Sequence, residues 1–207
     1  MRALLQRAAQ TGALALLTGR AVATADAILD GAISVIAGLH GLERRFGEGE
    51  THRSAQDDAP VRRVAEAFAA QIGEGRLQAR LEDKGASVSL HYRHAPEAEH
   101  EVCAAAEAAA FAHGLRTLRG KMVIEILPFG ATKGDALRDF MVVAPFAGRR
   151  PVMVGDDITD ESAFEAANAL GGLSILVGSP RETAARARVD GVRDVAAMLE
   201  RALGARA

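Results

Sequence analysis

Long apolar runs, a strong excess of charge and paired cysteines are all missing from this chain of 207 residues. The one cysteine, Cys103, cannot form a disulfide within the chain, so nothing in the composition indicates an oxidising compartment. The net charge of −2 provides no basic surface for nucleic acid or for an anionic membrane. No segment approaches a membrane span, and polar residues interrupt the first 17 positions, which argues against a signal peptide. We therefore predict a cytoplasmic protein that binds a small molecule and neither nucleic acid nor membrane.

The remaining composition is that of a globular protein, with 49% apolar and 25% charged residues. A chain of this length forms one ordinary domain or two small ones. Only three of the 25 basic residues are lysines, namely Lys84, Lys121 and Lys133. Because arginine is so strongly preferred in this chain, a lysine indicates a position that needs a compact, rotatable ammonium group instead of a planar guanidinium group.

Apolar patterning predicts a parallel sheet interrupted by a module of different texture. An apolar strand at 13–17, a helix at 21–29 and a strand at 33–37 follow one another with short links. A polar stretch, a helix, a hairpin around 82–85, an alanine-rich helix and two strands come next. Strands at 151–154 and 173–177 then alternate with helices again. We predict an α/β fold with a Rossmann-like core and an inserted α+β cap, with the core at 1–38 and 129–207 and the cap at 39–128.

The segment 155–161, Gly-Asp-Asp-Ile-Thr-Asp-Glu, follows the predicted strand at 151–154 directly. Its carboxylates therefore lie at the carboxyl edge of a sheet, where open α/β folds bind ligands. A hard divalent ion such as Mg²⁺ would relieve the repulsion between them. Helix initiation, with Thr159 as the cap, is the simpler interpretation. It accounts for the last two acids of the segment but leaves Asp156 and Asp157 unexplained.

Two further groups are expected at the same sheet edge. Lys133 stands at a predicted helix start, where a cation opposes the helix dipole and free backbone N–H groups favour an anion. Thr18 ends a predicted strand, so its hydroxyl and the amide of Gly19 can bind a phosphate oxygen. A solvent-exposed lysine and an ordinary strand-to-helix cap are the alternatives.

The order Thr18, Lys133 and the acidic segment 155–161 resembles motifs two to four of the haloacid dehalogenase superfamily of phosphatases. Longer stretches are similar to the trehalose-6-phosphate phosphatase family within it. These are Ala-Gly-Leu-His-Gly-Leu-Glu-Arg-Arg at 37–45, Leu-Glu-Asp-Lys-Gly at 81–85 with His-Tyr-Arg at 91–93, and the acidic segment itself. The resemblance covers essentially the whole chain.

The resemblance implies hydrolysis of trehalose 6-phosphate through an aspartyl-phosphate. Thr18 and Lys133 would hold the phosphoryl group, while Asp156 would bind Mg²⁺ with the support of two other acids, Asp157 and Asp160. The cap would close over the sugar. The implied sugar ligands are Glu82, Lys84 and Glu125, with less definite roles for His40 and Arg44. An exposed turn pair is the simpler interpretation of Glu82 and Lys84.

The first motif of this superfamily, Asp-x-Asp-Gly-Thr, does not occur among the 207 residues. Neither Asp26 nor Asp30 can replace its nucleophile, since both are expected on or just after the helix that follows Thr18. A mis-set start or a fragment of a longer phosphatase is one explanation. A true truncation would leave the central strand missing, and we would then expect poor folding or self-association through the incomplete sheet. Two other functions stay open: a sugar-phosphate-binding regulatory module without turnover, and a phosphatase for another sugar phosphate.

Overall fold

The computed structural model describes residues 2–53, 58–130 and 132–204. The chain folds into two compact units, of which the first contains residues 2–53 and 132–204 and the second contains residues 58–130. Among these described residues, no helix has both the length and the apolar character needed to cross a membrane. The second unit is thus an insertion in the sequence of the first.

Helices and strands alternate along most of the described chain. The helices are α1 (Arg2–Thr11), α2 (Val22–Leu29), α3 (Ala59–Gly73), α4 (Glu99–Ala112), α5 (Lys133–Met141), α6 (Glu161–Ala169) and α7 (Val192–Gly204). The strands are β1 (Ala15–Leu17), β2 (Val35–Gly38), β3 (Glu43–Arg45), β4 (Thr51–Arg53), β5 (Arg80–Asp83), β6 (Val88–His91), β7 (Arg116–Gly120), β8 (Val123–Leu127), β9 (Val152–Gly155), β10 (Leu173–Val177) and β11 (Ala187–Val189). Short 3₁₀ turns lie at Leu39–Gly41, Pro96–Ala98 and Ile158–Asp160.

The strands of the first unit form two separate sheets. One has the order β1-β2-β3-β4, with β1 and β2 parallel. The other has the order β11-β10-β9, and all its pairs are parallel. Helix α5 packs against apolar residues of both sheets, because its Leu137 lies with Met153 of β9 and its Phe140 lies with Val35 of β2. Within the described residues, β1 and β9 are therefore edge strands held near the same helix.

The sequence did not indicate three of these strands, β3, β4 and β11. Strand β3 is the charged tripeptide Glu43–Arg45, and its pairing with β2 decides its conformation. Arg45 stabilises that pairing, because its guanidinium donates to the carbonyl oxygens of Ser34 at 3.0 Å and Ile33 at 3.1 Å. The residues from 39 to 53, which we expected in the cap, consequently belong to the first unit.

The second unit is an antiparallel sheet covered on one face by α3 and α4. Its strand order is β5-β6-β8-β7. Alternate residues of the central strands, such as Val88, Leu90, Ile124 and Ile126, join the helices in one apolar cluster. The opposite face carries polar side chains, including Glu125. The structure therefore has the predicted α/β class, with one mixed sheet and one parallel sheet in the first unit and an α+β module inserted in its sequence.

Candidate active site

Thr18 is fixed directly after β1 by backbone and side-chain hydrogen bonds. Its amide donates to the carbonyl oxygen of Ala37 at 2.8 Å, and its own carbonyl oxygen accepts from the amide of His40 at 3.0 Å. The hydroxyl oxygen accepts from the amide of Arg20 at 3.1 Å. Because this oxygen accepts from the backbone, its hydrogen can be donated to another group.

His40 lies against the strand end that carries Thr18. The residue is buried and adopts a left-handed backbone conformation with a φ of 56°. Its ring approaches Gly19 so closely that a Cβ at position 19 would meet Nε2 at 2.6 Å. The glycine predicted to bind phosphate is therefore also required for the packing of this imidazole.

The start of α5 lies beside the turn that contains His40. A Cβ added to Gly41, whose φ is +105°, would meet the carbonyl oxygen of Thr132 at 2.5 Å. Thr132 caps α5 and forms a capping box with Asp135. Burial raises the pKa of Asp135, but hydrogen bonds from Thr132 and the positive charge of Arg138 outweigh it, so the pKa lies below its usual value. The cap thus orients the first turn of α5, where Lys133 stands.

Lys133 points to the acidic segment and is buried. Its Nζ donates to Asp160 Oδ1 at 2.6 Å and to the hydroxyl oxygen of Thr159 at 2.9 Å. Lys133 is 6% exposed and Asp160 is 4% exposed, so the ion pair is largely shielded from water. Helices α5 and α6 can approach this closely because position 134 is glycine, where a Cβ would overlap the carbonyl group of Ser162.

Asp160 organises the acidic loop with its second oxygen. Oδ2 accepts from the amides of Asp156 at 2.9 Å and Asp157 at 3.0 Å. Both oxygens of Asp160 therefore accept hydrogen bonds from the protein. We expected Asp160 among the residues that support a metal. In the structure Asp160 links Lys133 to the backbone of the loop that carries Asp156 and Asp157, and its support of a metal stays a prediction.

Asp156 and Asp157 are the acids of this loop that remain accessible. The Asp156 side chain is exposed, whereas Asp157 is half-buried and accepts from the amide of Ile158 at 2.6 Å. Among the described residues, no three carboxylate, imidazole or thiol groups lie close enough together to form a metal cluster. One or two carboxylates still fit Mg²⁺, because this ion keeps several waters and takes its other ligands from a substrate phosphate.

Glu161 and Arg181 support the same loop, although no sequence pattern indicated Arg181. Its guanidinium donates to the carbonyl oxygen of Asp157 at 2.9 Å and pairs with Glu161. Burial raises the pKa of Glu161, but hydrogen bonds from the Ala184 amide, Thr183 and Arg181 outweigh it, so the pKa lies below its usual value. The loop after β10 is thereby held against the acidic segment.

Arg44, for which a substrate contact is predicted, pairs with a residue of the first unit. Its guanidinium pairs with Asp139 of α5, and its side chain is 20% exposed. This contact joins β3 to α5. It gives Arg44 a structural role, and its substrate contact stays a prediction.

In the second unit, two of the three expected sugar ligands meet. Lys84 Nζ lies 3.0 Å from Glu125 Oε2, and the Ser87 hydroxyl donates to Glu125 Oε1 at 2.6 Å. Glu82 instead pairs with His91 at 2.9 Å. The simple turn pair between Glu82 and Lys84 is thus replaced by an ion pair of Lys84 with Glu125 and a hydrogen bond between Glu82 and His91.

Comparison with known proteins gives consistent matches over most of the chain. The trehalose-phosphatase family model matches residues 1–193. A probable trehalose-phosphate phosphatase of Sinorhizobium fredii is 46% identical over 171 residues, which cover 82% of this chain and 64% of that protein. Trehalose-6-phosphate phosphatase of Escherichia coli is 42% identical over 193 residues, which cover 93% of this chain and 72% of that protein. The chain thus spans about two thirds of the length of these two relatives.

Two solved structures share the fold at low identity. The C-terminal domain of Candida albicans trehalose-6-phosphate phosphatase matches with a TM-score of 0.81 at 19% identity, over 97% of this chain and 81% of that one. A trehalose-6-phosphate phosphatase related protein matches with a TM-score of 0.77 at 23% identity, over 98% of this chain and 85% of that one. These matches show that the chain shares the α/β fold of those two proteins.

Proposed function

Because this chain belongs to the trehalose-phosphatase family, we propose that it provides the phosphate-binding groups, the metal-binding loop and the sugar-binding module of a trehalose-6-phosphate phosphatase. The reaction is the hydrolysis of trehalose 6-phosphate to trehalose and inorganic phosphate. The observation that carries the proposal is the buried pair of Lys133 and Asp160, with Nζ and Oδ1 2.6 Å apart. It holds an ammonium group between the start of α5 and the acidic loop, where a phosphoryl group and a cation would meet.

Lys133 and Thr18 are the proposed phosphate ligands. An ammonium group has three N–H donors, and Asp160 and Thr159 accept two of those of Lys133. The third is directed, in this proposal, to a phosphoryl oxygen. The Thr18 hydroxyl donates to the same group, because its oxygen already accepts from a backbone amide. Positive charge and fixed donors around phosphorus are what phosphoryl transfer requires.

Asp156 is the proposed direct ligand of Mg²⁺, with Asp157 in support. When bound, the ion would neutralise the charge of the phosphoryl oxygens. The protein contributes the orientation of the loop, because Asp160 accepts from the amides of both residues. Arg181 adds a further hydrogen bond, to the carbonyl oxygen of Asp157.

The sugar contacts are proposed for Glu82, Lys84 and Glu125. The cross-strand register puts Glu82 opposite Ser89 and Ser89 opposite Glu125, so these side chains share one face of the sheet. Charged groups on one face suit a polyol, because each can bind several hydroxyl groups. His40 is proposed to contact the substrate near the phosphate, since it lies beside Gly19.

The second candidate is a binding module without turnover, favoured by the absence of Asp-x-Asp from the 207 residues. The two can be separated by measuring phosphate release from trehalose 6-phosphate with Mg²⁺, together with binding by calorimetry, before and after the missing motif is restored, because a pure binding module would show no turnover in either case. We expect binding without turnover by these 207 residues, and turnover once an Asp-x-Asp-Gly-Thr strand is joined before Arg2. Lys133→Met should abolish both the binding of trehalose 6-phosphate and the turnover. Turnover by the 207 residues alone would contradict our assignment of the nucleophile.

We also propose that copies of this chain associate through the open edges of β1 and β9, whose backbone groups can pair with another strand. Sedimentation at increasing concentration tests this, and a monomer at every concentration would contradict it. A cytoplasmic location remains a prediction from the sequence.

A further inference from the structure

We propose that Ser87 is a positioning residue that orients Glu125 for the sugar. The inference rests on the proposed function, because it assumes that Glu125 binds a substrate hydroxyl. Nothing in the sequence patterns indicated Ser87, which lies just before β6 in the hairpin that carries Lys84.

Ser87 contacts both members of the ion pair between Lys84 and Glu125. Its carbonyl oxygen accepts from the amide of Lys84 at 3.0 Å, which closes the hairpin. Its hydroxyl donates to Glu125 Oε1 at 2.6 Å, while Lys84 Nζ lies 3.0 Å from Oε2. One residue therefore fixes the backbone of the lysine and one oxygen of the carboxylate.

Two donors on two different oxygens define the plane of the Glu125 carboxylate. An O–H donor to an ionised oxygen at this length forms a strong hydrogen bond. A serine next to a strand holds its hydroxyl in place far better than the long, rotatable side chain of Lys84 can hold its ammonium group. A carboxylate accepts hydrogen bonds in its own plane, so fixing the plane of Glu125 also fixes the directions from which sugar hydroxyl groups can donate to it.

A purely structural role for Ser87 is the alternative, because Ser87 is 0% exposed and a buried hydroxyl needs a partner. Ser89 provides a control position that distinguishes a structural role from a positioning role. It lies two residues further along the chain on the same face, it is 1% exposed, and its register partner is Glu125. In the described part of the chain, however, its hydroxyl has no hydrogen-bond partner. Ser89→Ala therefore matches Ser87→Ala in chemistry and burial, and lacks the side-chain hydrogen bond to Glu125.

The test measures two ligands by calorimetry with Mg²⁺ present: trehalose 6-phosphate and inorganic phosphate. We expect Ser87→Ala to weaken binding of trehalose 6-phosphate about tenfold, the effect of losing one hydrogen bond to a charged group. Inorganic phosphate should bind within about twofold of the unsubstituted chain, because it does not use Glu125. Ser89→Ala should change neither affinity by more than about twofold. Ser87→Cys, which keeps the size but has only a weak S–H donor, should give an intermediate loss for the sugar phosphate.

Equal behaviour of Ser87→Ala and Ser89→Ala would overturn the inference, and so would an equal loss of both ligands in Ser87→Ala. If Ser87→Ala does not fold, the same criteria apply to Ser87→Cys. Failure of the proposed function has a different signature: the unsubstituted chain would then bind trehalose 6-phosphate no better than inorganic phosphate, before any substitution is made.

Discussion

Replacing Lys133 with methionine should destabilise the protein strongly. Methionine keeps most of the side-chain volume but removes the ammonium group that lies 2.6 Å from Asp160 Oδ1. Removal of one partner from a buried ion pair costs about 3–5 kcal/mol, because the other charge stays buried without compensation. Asp160 keeps two backbone N–H donors. We therefore expect a loss at the lower end, about 3 kcal/mol in the free energy of unfolding, or about 6–12 °C in Tm for a chain of this size.

Urea unfolding followed by circular dichroism measures this loss, with Lys121→Met as the control. Lys121 is exposed, so its replacement should change the free energy of unfolding by no more than about 0.5 kcal/mol. In the double variant of Lys133→Met with Asp160→Asn, the loss should fall short of the sum of the single losses by about 0.5–3 kcal/mol, because the two residues interact. A loss for Lys133→Met within about 1 kcal/mol of the control would refute the reasoning.

Three further predictions concern the acidic loop. Gly155→Ala should destabilise by about 1–3 kcal/mol, because the new Cβ would lie 2.5 Å from the carboxyl carbon of Asp160; Gly73→Ala, with open space around its Cβ, should not destabilise in the same urea assay. Glu161 has a lowered pKa, so the stability it contributes is fully present above its usual pKa of about 4.5 and is lost as the pH falls through the folded value. Glu161→Gln should be less stable than the unsubstituted chain at pH 7 and should lose less stability between pH 7 and pH 3. Thermal melts at a series of pH values measure this, and parallel plots of Tm against pH for the two proteins would contradict it. Asp156→Asn should weaken Mg²⁺ binding at least about tenfold by calorimetry, while the exposed Asp30→Asn should leave it unchanged.

The strands of the core could be predicted because they are short apolar runs between helical segments. Strand β10 forms at Leu173–Val177, with the predicted limits, and β9 differs by one residue at each end. Strand β3 could not be predicted, because its three residues are charged and only their pairing with β2 makes them a strand. Strand β5 forms at Arg80–Asp83, whereas the apolar pattern favoured 77–81, since Leu77 reaches the apolar cluster from outside the sheet.

The candidate site was predictable in its residue types and only partly in its contacts. Lys133 and the acidic loop stand out as strand-end and helix-start residues, which local sequence reveals. Their direct contact joins positions 27 residues apart and depends on the close packing of α5 on α6 through Gly134. The same limit explains why Arg181 gave no signal, since only the fold brings its guanidinium to the loop.

The two oxygens of Asp160 have a consequence for how ligands affect one another. One oxygen accepts from the proposed phosphate ligand Lys133, and the other accepts from the amides that orient the proposed cation ligands Asp156 and Asp157. A ligand that shifts this carboxyl group from one side therefore alters the affinity for the ligand on the other side. Thermodynamic linkage makes the effect reciprocal. If the divalent ion raises the affinity for the anion by some factor, the anion raises the affinity for the divalent ion by the same factor.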